Sequence, residues 1–247
     1  MSKPPQFGPV DDRPTFLERL FPWKQRVSKK PLYQLGVSRD LILDNIATEL
    51  SRGPLQPAAR AALAERVSHA PRHPRPALNG ELAELFIQRI TRRAATVQTL
   101  TDLSDVPAAV AQHLQTHCLP THIAVSDPLA ALFWPSPIQL HTGAARRNEA
   151  VAVSLARLGV AETGSVLLGA GPDTPTTHNF VPDDHIVVLH RQDIVPHLED
   201  AWASLRNHGG MPRAVNLIAG PSRTGDIEQT IQLGAHGPRR LHVLLVG

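Results

Sequence analysis

The residues best suited to chemistry lie between Val215 and Pro238, in VNLIAGPSRTGDIEQTIQLGAHGP. An apolar strand, Val215 to Ala219, breaks at Gly220-Pro221 and enters a polar turn, Ser222-Arg223-Thr224-Gly225. A short helix is expected next, with Asp226 and Glu228 in its first turn. The segment closes at Gly234 and a second turn, His236-Gly237-Pro238. The first N–H groups of a helix lack intrahelical partners, so such a turn offers donors to an anion. Ser222 and Thr224 add hydroxyls, and Arg223 adds a forked cation. Asp226 and Glu228 suit the helix dipole but repel a second anion unless Arg223 or a metal intervenes. The same residue types also make a plain helix cap, worth about 1 kcal/mol. In an α/β fold ligands collect at the carboxyl ends of strands, where this turn falls.

Glu162 is the second candidate. In VAETGSV, Val160 to Val166, a strand-turn-strand pattern puts Glu162, Thr163 and Gly164 at a tip, with Gly164 free to take a positive φ. A carboxylate buried beside a ligand acts as base or nucleophile. A turn carboxylate equally bonds its own backbone. The loop from Gly169 to Pro182 is long for a bare connector, which suggests a site-side loop, and it lacks the phosphate-binding G-x-x-x-x-G-K-[ST] pattern. His178 and His185, with Asp183 and Asp184, are ligand types for a metal, but the spacing fixes no third ligand. His69 and His73, beside the proline loop Ala70 to Pro76, lack converging partners too. No metal or cofactor is therefore assigned, and His185 is expected to hydrogen-bond a strand end. Cys118 is the only cysteine. It rules out an intrachain disulfide and a cysteine-ligated iron–sulfur cluster carried by this chain alone. With no activating base nearby, Cys118 is expected to be a buried small apolar residue.

The elements that must position these groups fall into two blocks. From Met1 to Arg93 the chain reads as an N-terminal arm and helical extension. Helices are expected at Thr15 to Val27, Ser38 to Leu50, Gln56 to Ser68 and Leu78 to Arg93. A basic, Trp-bearing stretch from Phe21 to Lys30 suits docking to a partner. From Ala94 to Gly247 strands alternate with helices. Strands are expected at 94–100, 121–126, 138–142, 150–155, 185–190, 215–219 and 241–246, besides the pair around Glu162. Helices are expected at Val106 to His117, Leu129 to Trp134 and Asp193 to Asn207, the last capped by Asp193. That alternation implies an α/β domain with a mainly parallel sheet and right-handed crossovers.

Composition bounds the function. The chain has 247 residues, 42% apolar, 19% charged and only 4% aromatic, so its core is built from Ala, Val, Leu and Ile. A net charge of +3 is too mild to indicate nucleic acid. No apolar run reaches a membrane span, and the N-terminus lacks an apolar signal core, so a cytoplasmic soluble protein is expected.

GPSRTGDIE followed by LGAHGP resembles the signature of the lactate-utilisation protein C family, the LUD domain. VAETGSV and VPDDHIVV resemble two further elements of that family, in the family's order; Gly225 departs mildly where a Ser or Ala would be expected. The resemblance implies a fold like ribose-5-phosphate isomerase, glucosamine-phosphate deaminase and CoA transferases: a mainly parallel twisted sheet flanked by helices. It implies a component of an L-lactate utilisation system, oxidising lactate to pyruvate, that acts as an accessory or regulatory subunit beside iron–sulfur partner proteins. Among the residues falling on its motifs are Glu162, Thr163, Gly164, Asp183, His185, Ser222, Thr224, Asp226, Glu228, His236 and Gly237. With Arg223 they are expected to form a shared pocket for a small carboxylate or phosphate, Glu162 being the catalytic candidate. The alternative is a stand-alone isomerase- or CoA-transferase-like enzyme using Glu162, and a third reading is a small-acid sensor closing on Arg223. All require the Glu162 tip and the bend at Ser222 to Thr224 to meet at one rim of the sheet.

Overall fold

Two apolar runs, HIVVLH and LHVLLV, set the centre of the molecule. They form β7 (Asp184–His190) and β12 (Arg240–Val246), which pair in parallel with Asp184 opposite Arg240. Parallel strands covered on both faces read as continuous apolar runs, which these are. In the computed structural model, residues 39–69, 74–207, 211–224, 232–234 and 236–247 are described. Expectations for the arm before Arg39, for His73 and for the helix bearing Asp226 and Glu228 lie outside them.

β1 (Thr96–Leu100), β2 (His122–Val125), β3 (Gln139–His141) and β4 (Val151–Leu155) complete a six-stranded sheet of order β1-β12-β7-β4-β2-β3. Every pair in it is parallel. On one face lie α4 (Val106–Thr116) and α5 (Asp127–Ala130); Val106, Val110, Leu114 and Leu129 pack on Ile123, Val153, Ile186, Val188 and Leu244.

The opposite face is covered by a second sheet that the sequence reading did not separate from the first. It contains β5 (Leu158–Val160), β6 (Ser165–Gly169), β8 (Ile194–Val195) and β9 (Val215–Ile218), in the order β8-β5-β6-β9. Both β6 pairings are antiparallel. Val166 and Leu168 meet Val187, Leu189, Val243 and Leu245. α6 (Leu198–Asn207) closes the second sheet from outside with Ala201 and Leu205.

The chain forms two compact units, Met1–Arg72 and His73–Gly247. The helices α1 (Arg39–Glu49) and α2 (Pro57–Ser68) of the first bury none of their residues. α3 (Leu82–Thr91), which the sequence grouped with the extension, belongs to the second unit. Its Ala83, Phe86 and Ile90, at three- and four-residue spacing, enter the core beside Val187 and Leu189. Its first turn is capped by Glu81, whose carboxylate accepts from the Glu84 N–H at 3.0 Å.

Two local expectations are corrected. The helix expected from Asp193 begins at Leu198, because Ile194 and Val195 pair with Gly159 and Val160 as a strand and Pro196 follows. Cys118 is exposed, not buried. α4 closes with Leu119 N–H donating to Leu114 O at 2.9 Å and Cys118 N–H to Gln115 O at 3.2 Å, which puts Cys118 at φ +52 outside the last turn. No helix among the described residues is long and apolar enough to cross a membrane.

Candidate functional site

Along one face of the six-stranded sheet, His141, Ala124, Ala152, His185 and Leu241 share a register row across β3, β2, β4, β7 and β12. Between the two histidines stand only alanines, and Ser154 follows Ala152 on the same face. This thin stretch leaves room for a covering loop: Ala145 packs on Ala124 and Ala152. Thr177 Oγ1 accepts from the Ala145 N–H at 2.8 Å, and a His178 ring nitrogen lies 2.8 Å from the Gly143 carbonyl. His185 Nε2 lies 3.0 Å from Ser154 Oγ.

Burial disfavours charge on these rings. His185 is pushed down to about 3 by desolvation, reinforced by His178. His178 is lowered first by burial, then by His141, while its bond to Gly143 and the nearby Glu149 and Asp127 oppose that shift. At the open end of the row, Glu149 lies between His122 and His141. Its oxygens stand 3.5 Å from His122 Nδ1 and 3.3 Å from His141 Nε2. The rings of His122 and His141 stack at 5.4 Å. Beside them opens a cavity of about 350 Å³ lined by Pro120, His122, Arg146, Asn148, Glu149 and Ala150.

The sequence singled out His178 and His185 but gave His122, His141 and Glu149 no chemical role. Their meeting depends on β2 lying between β3 and β4, which spacing along the chain does not encode. The legible signal was the small residues at alternate positions of HIAV and VAVSL, where aliphatic side chains would otherwise be expected.

The motif residues occupy other places. Glu162 sits on the β5–β6 turn, 25% exposed, with Oε2 3.2 Å from His197 Nδ1 and accepting the Leu198 N–H at 3.4 Å. It thus meets the head of α6, where a carboxylate complements the unpaired N–H groups. Thr163 buries its hydroxyl without a partner among the described residues. Gly164 is required: at φ +62, a Cβ there would lie 2.6 Å from Ile90 N and 2.7 Å from Arg89 Cβ.

The bend after β9 also comes to the end of α3, since a Cβ on Gly220 would meet Arg93 O at 2.7 Å. Beyond it, Ser222 N–H donates to Pro238 O at 2.8 Å and Gly234 N–H to Ser222 O at 3.0 Å. Gly237 lies against Ser222, so these two motifs meet each other. Arg223 and Thr224 form β10 (Arg223–Thr224), paired antiparallel with β11 (Gln232–Leu233) rather than lying in an open turn. Arg223 and His236 are exposed. The Glu162 turn, through Gly164, and the bend at Gly220 therefore both come to the carboxyl end of α3 or just beyond it, but Glu162 and Ser222 bond to different partners, His197 with Leu198 and Pro238 with Gly234.

Asp183 and Asp184 stand at the amino end of β7, not at a carboxyl end. Asp183 pairs with Arg239 at 3.2 Å on the surface, and its carbonyl accepts the Arg239 N–H at 2.7 Å. Asp184 has a buried carboxylate gripped by Arg240 through Nε and Nη2, both at 2.6 Å, with His113 at 3.5 Å. Desolvation raises its pKa, but the bonds to His113 and Arg240 outweigh that and hold it below the usual carboxylate value. On this opposite face His113 stacks on His242 at 4.6 Å, and burial lowers His242 to about 4. A cavity of about 290 Å³ there is lined by His113, His117, His242, Thr96, Gln98 and Gln112, among others.

The family described as LUD domain matches residues 147–246. Lactate utilization protein C of Geobacillus thermodenitrificans is 26% identical over 125 residues, covering 49% of this chain and 52% of that protein. The Bacillus subtilis protein of the same name is 30% identical over 100 residues, 39% of this chain and 42% of the relative. An uncharacterized protein of Neisseria meningitidis serogroup B is 37% identical over 92 residues, 37% of this chain and 40% of its own length. The matched stretch thus spans about half, or less, of each of these relatives. A crystal structure of a DUF162 family protein from Deinococcus radiodurans shares the fold with TM-score 0.52 at 20% identity, over 70% of this chain and 100% of that one. The matched segment includes β4 to β7, the Glu162 turn, the β9 bend and β12, and over that segment the chain is similar to the LUD-domain family.

Proposed function

We propose that the protein works in L-lactate utilisation, as an accessory or regulatory component beside iron–sulfur partner proteins, and that it acts through the histidine-lined end of the sheet face. The observation that carries the reading is the likeness of its LUD domain to relatives named lactate utilization protein C. The single cysteine, Cys118, supports the division of labour, because a cysteine-ligated cluster needs several thiolates. Affinity purification of the tagged chain from lactate-grown cells tests it. Stoichiometric iron–sulfur proteins, identified by mass spectrometry and iron content, are expected. Recovery of the chain alone, with turnover of its own on a small substrate, contradicts it.

One observation favours a second reading. The Glu162 carboxylate is held by His197 and the Leu198 N–H, a geometry in which it can work as a base. A stand-alone isomerase- or CoA-transferase-like enzyme would bind a sugar phosphate or an acyl-CoA. It would lose turnover, with its fold intact, in Glu162→Gln.

A further inference from the structure

We propose that His122, His141 and Glu149 form a binding site for a divalent first-row transition ion of the zinc type, with one coordination position open to the adjoining cavity. One ligand atom from each residue lies within 4.8 Å of the other two. A tetrahedral ion about 2.0–2.1 Å from each donor holds its ligands roughly 3.4 Å apart. Glu149 Oε1 stands 3.5 Å from His122 Nδ1 and Oε2 stands 3.3 Å from His141 Nε2, so each carboxylate oxygen already lies one such edge from an imidazole. With the three ligand atoms within 4.8 Å of one another, no edge needs to close by more than about 1.4 Å, within reach of a χ adjustment of the exposed His122.

The state of the donors points the same way. The Glu149 side chain is only 2% exposed, and among the described residues neither Lys nor Arg pairs with it. A buried carboxylate is costly unless its charge is matched. An ordinary imidazole–carboxylate pair would match it through a hydrogen bond. Yet both ring nitrogens of His141 are buried and neither makes one, and the 3.3 Å approach to Glu149 lacks hydrogen-bond geometry. A cation set in the gap satisfies the carboxylate and both imidazole lone pairs together.

Position adds the rest. His122 and His141 project from neighbouring parallel strands on one face, with rings 10° from parallel, so the sheet sets the two imidazoles side by side. Three protein ligands with an open fourth position is the arrangement of metal sites that bind an exchangeable ligand. The cavity of about 350 Å³ provides that position, and Arg146 at its rim suits an anionic occupant such as a small carboxylate. The proposal is independent of the lactate reading, because its test is metal binding by the purified chain.

That test starts from full-length protein stripped with a chelator and titrated with Co²⁺, followed by visible d–d absorption, then with Zn²⁺ by equilibrium dialysis and elemental analysis. One equivalent of ion is expected, with intense low-symmetry cobalt bands and a rise in Tm with Zn²⁺. His141→Ala and Glu149→Gln are each expected to weaken binding at least tenfold, while His117→Ala, in the opposite-face cluster, leaves it unchanged. His122→Ala removes a half-exposed side chain and carries the test if a buried variant fails to fold. Wild-type protein that binds less than a tenth of an equivalent overturns the proposal. So does equal affinity in folded wild type, Glu149→Gln and His122→Ala.

Discussion

The two halves of one sheet face are built to different rules. Across β1, β12 and most of β7 the face carries Val97, Val243, Leu245, Val187 and Leu189, sealed by α3 and the second sheet. Across β4, β2 and β3 the same face carries Ala152, Ser154, Ala124 and His141, with His185 at the join, covered by two loops, one bearing Ala145 and the other His178. One half gains stability from apolar area; the other gives up that area and holds unpaired imidazole nitrogens instead. Buried polar atoms without partners are uncommon because they are costly, and they concentrate where a site needs them.

Substitutions test that contrast. The largest effect is expected in the sealed half: Phe86→Ala empties a fully buried position under β7 and should cost about 3–5 kcal/mol in urea unfolding. In the thin half the damaging change runs the other way. Ala152→Leu forces a larger side chain between Ala124, Ala145 and His185 and should cost roughly 1–3 kcal/mol. If Ala152→Leu proves neutral, the thin half holds unfilled space and the contrast weakens.

The next effect is on pH dependence. His185 stays neutral when folded, with a pKa of about 3 against 6.5 for the free side chain. Its folded pKa is depressed, so the unfolded chain takes up the proton first as pH falls. Stability is therefore full above pH 6.5 and lost progressively from there down to about 3, by roughly 1.4 kcal/mol per pH unit at most. His185→Gln should flatten the unfolding free energy between pH 6 and pH 4. An unchanged slope would mean that His185 is not held neutral. The smallest effect is expected outside the contrast: Glu162→Gln keeps the shape at the head of α6 and should cost about 1 kcal/mol or less.

Much of this architecture could be read from the residues. HIVVLH and LHVLLV announced buried parallel strands, VAETGSV announced a strand-turn-strand with glycine at the tight position, and Leu82, Leu85, Phe86 and Ile90 announced an amphipathic helix. The second sheet was not legible, because β5, β6, β8 and β9 are short and their pairing is decided by packing. Cys118 was misread because a left-handed helix end usually shows glycine, and here a cysteine takes that conformation. The turn at Glu162 was found as a turn, whereas the expected turn from Ser222 enters the β10–β11 pair instead. The His122, His141 and Glu149 group was not, since strand order across a sheet creates it and no local spacing carries it.

The account stands most directly on one growth measurement. In the source organism, deletion of the gene is expected to abolish growth on L-lactate as sole carbon source. The wild-type gene should restore it, and the folded Glu149→Gln protein should not. Normal growth of the deletion strain on lactate, or full restoration by Glu149→Gln, would contradict it.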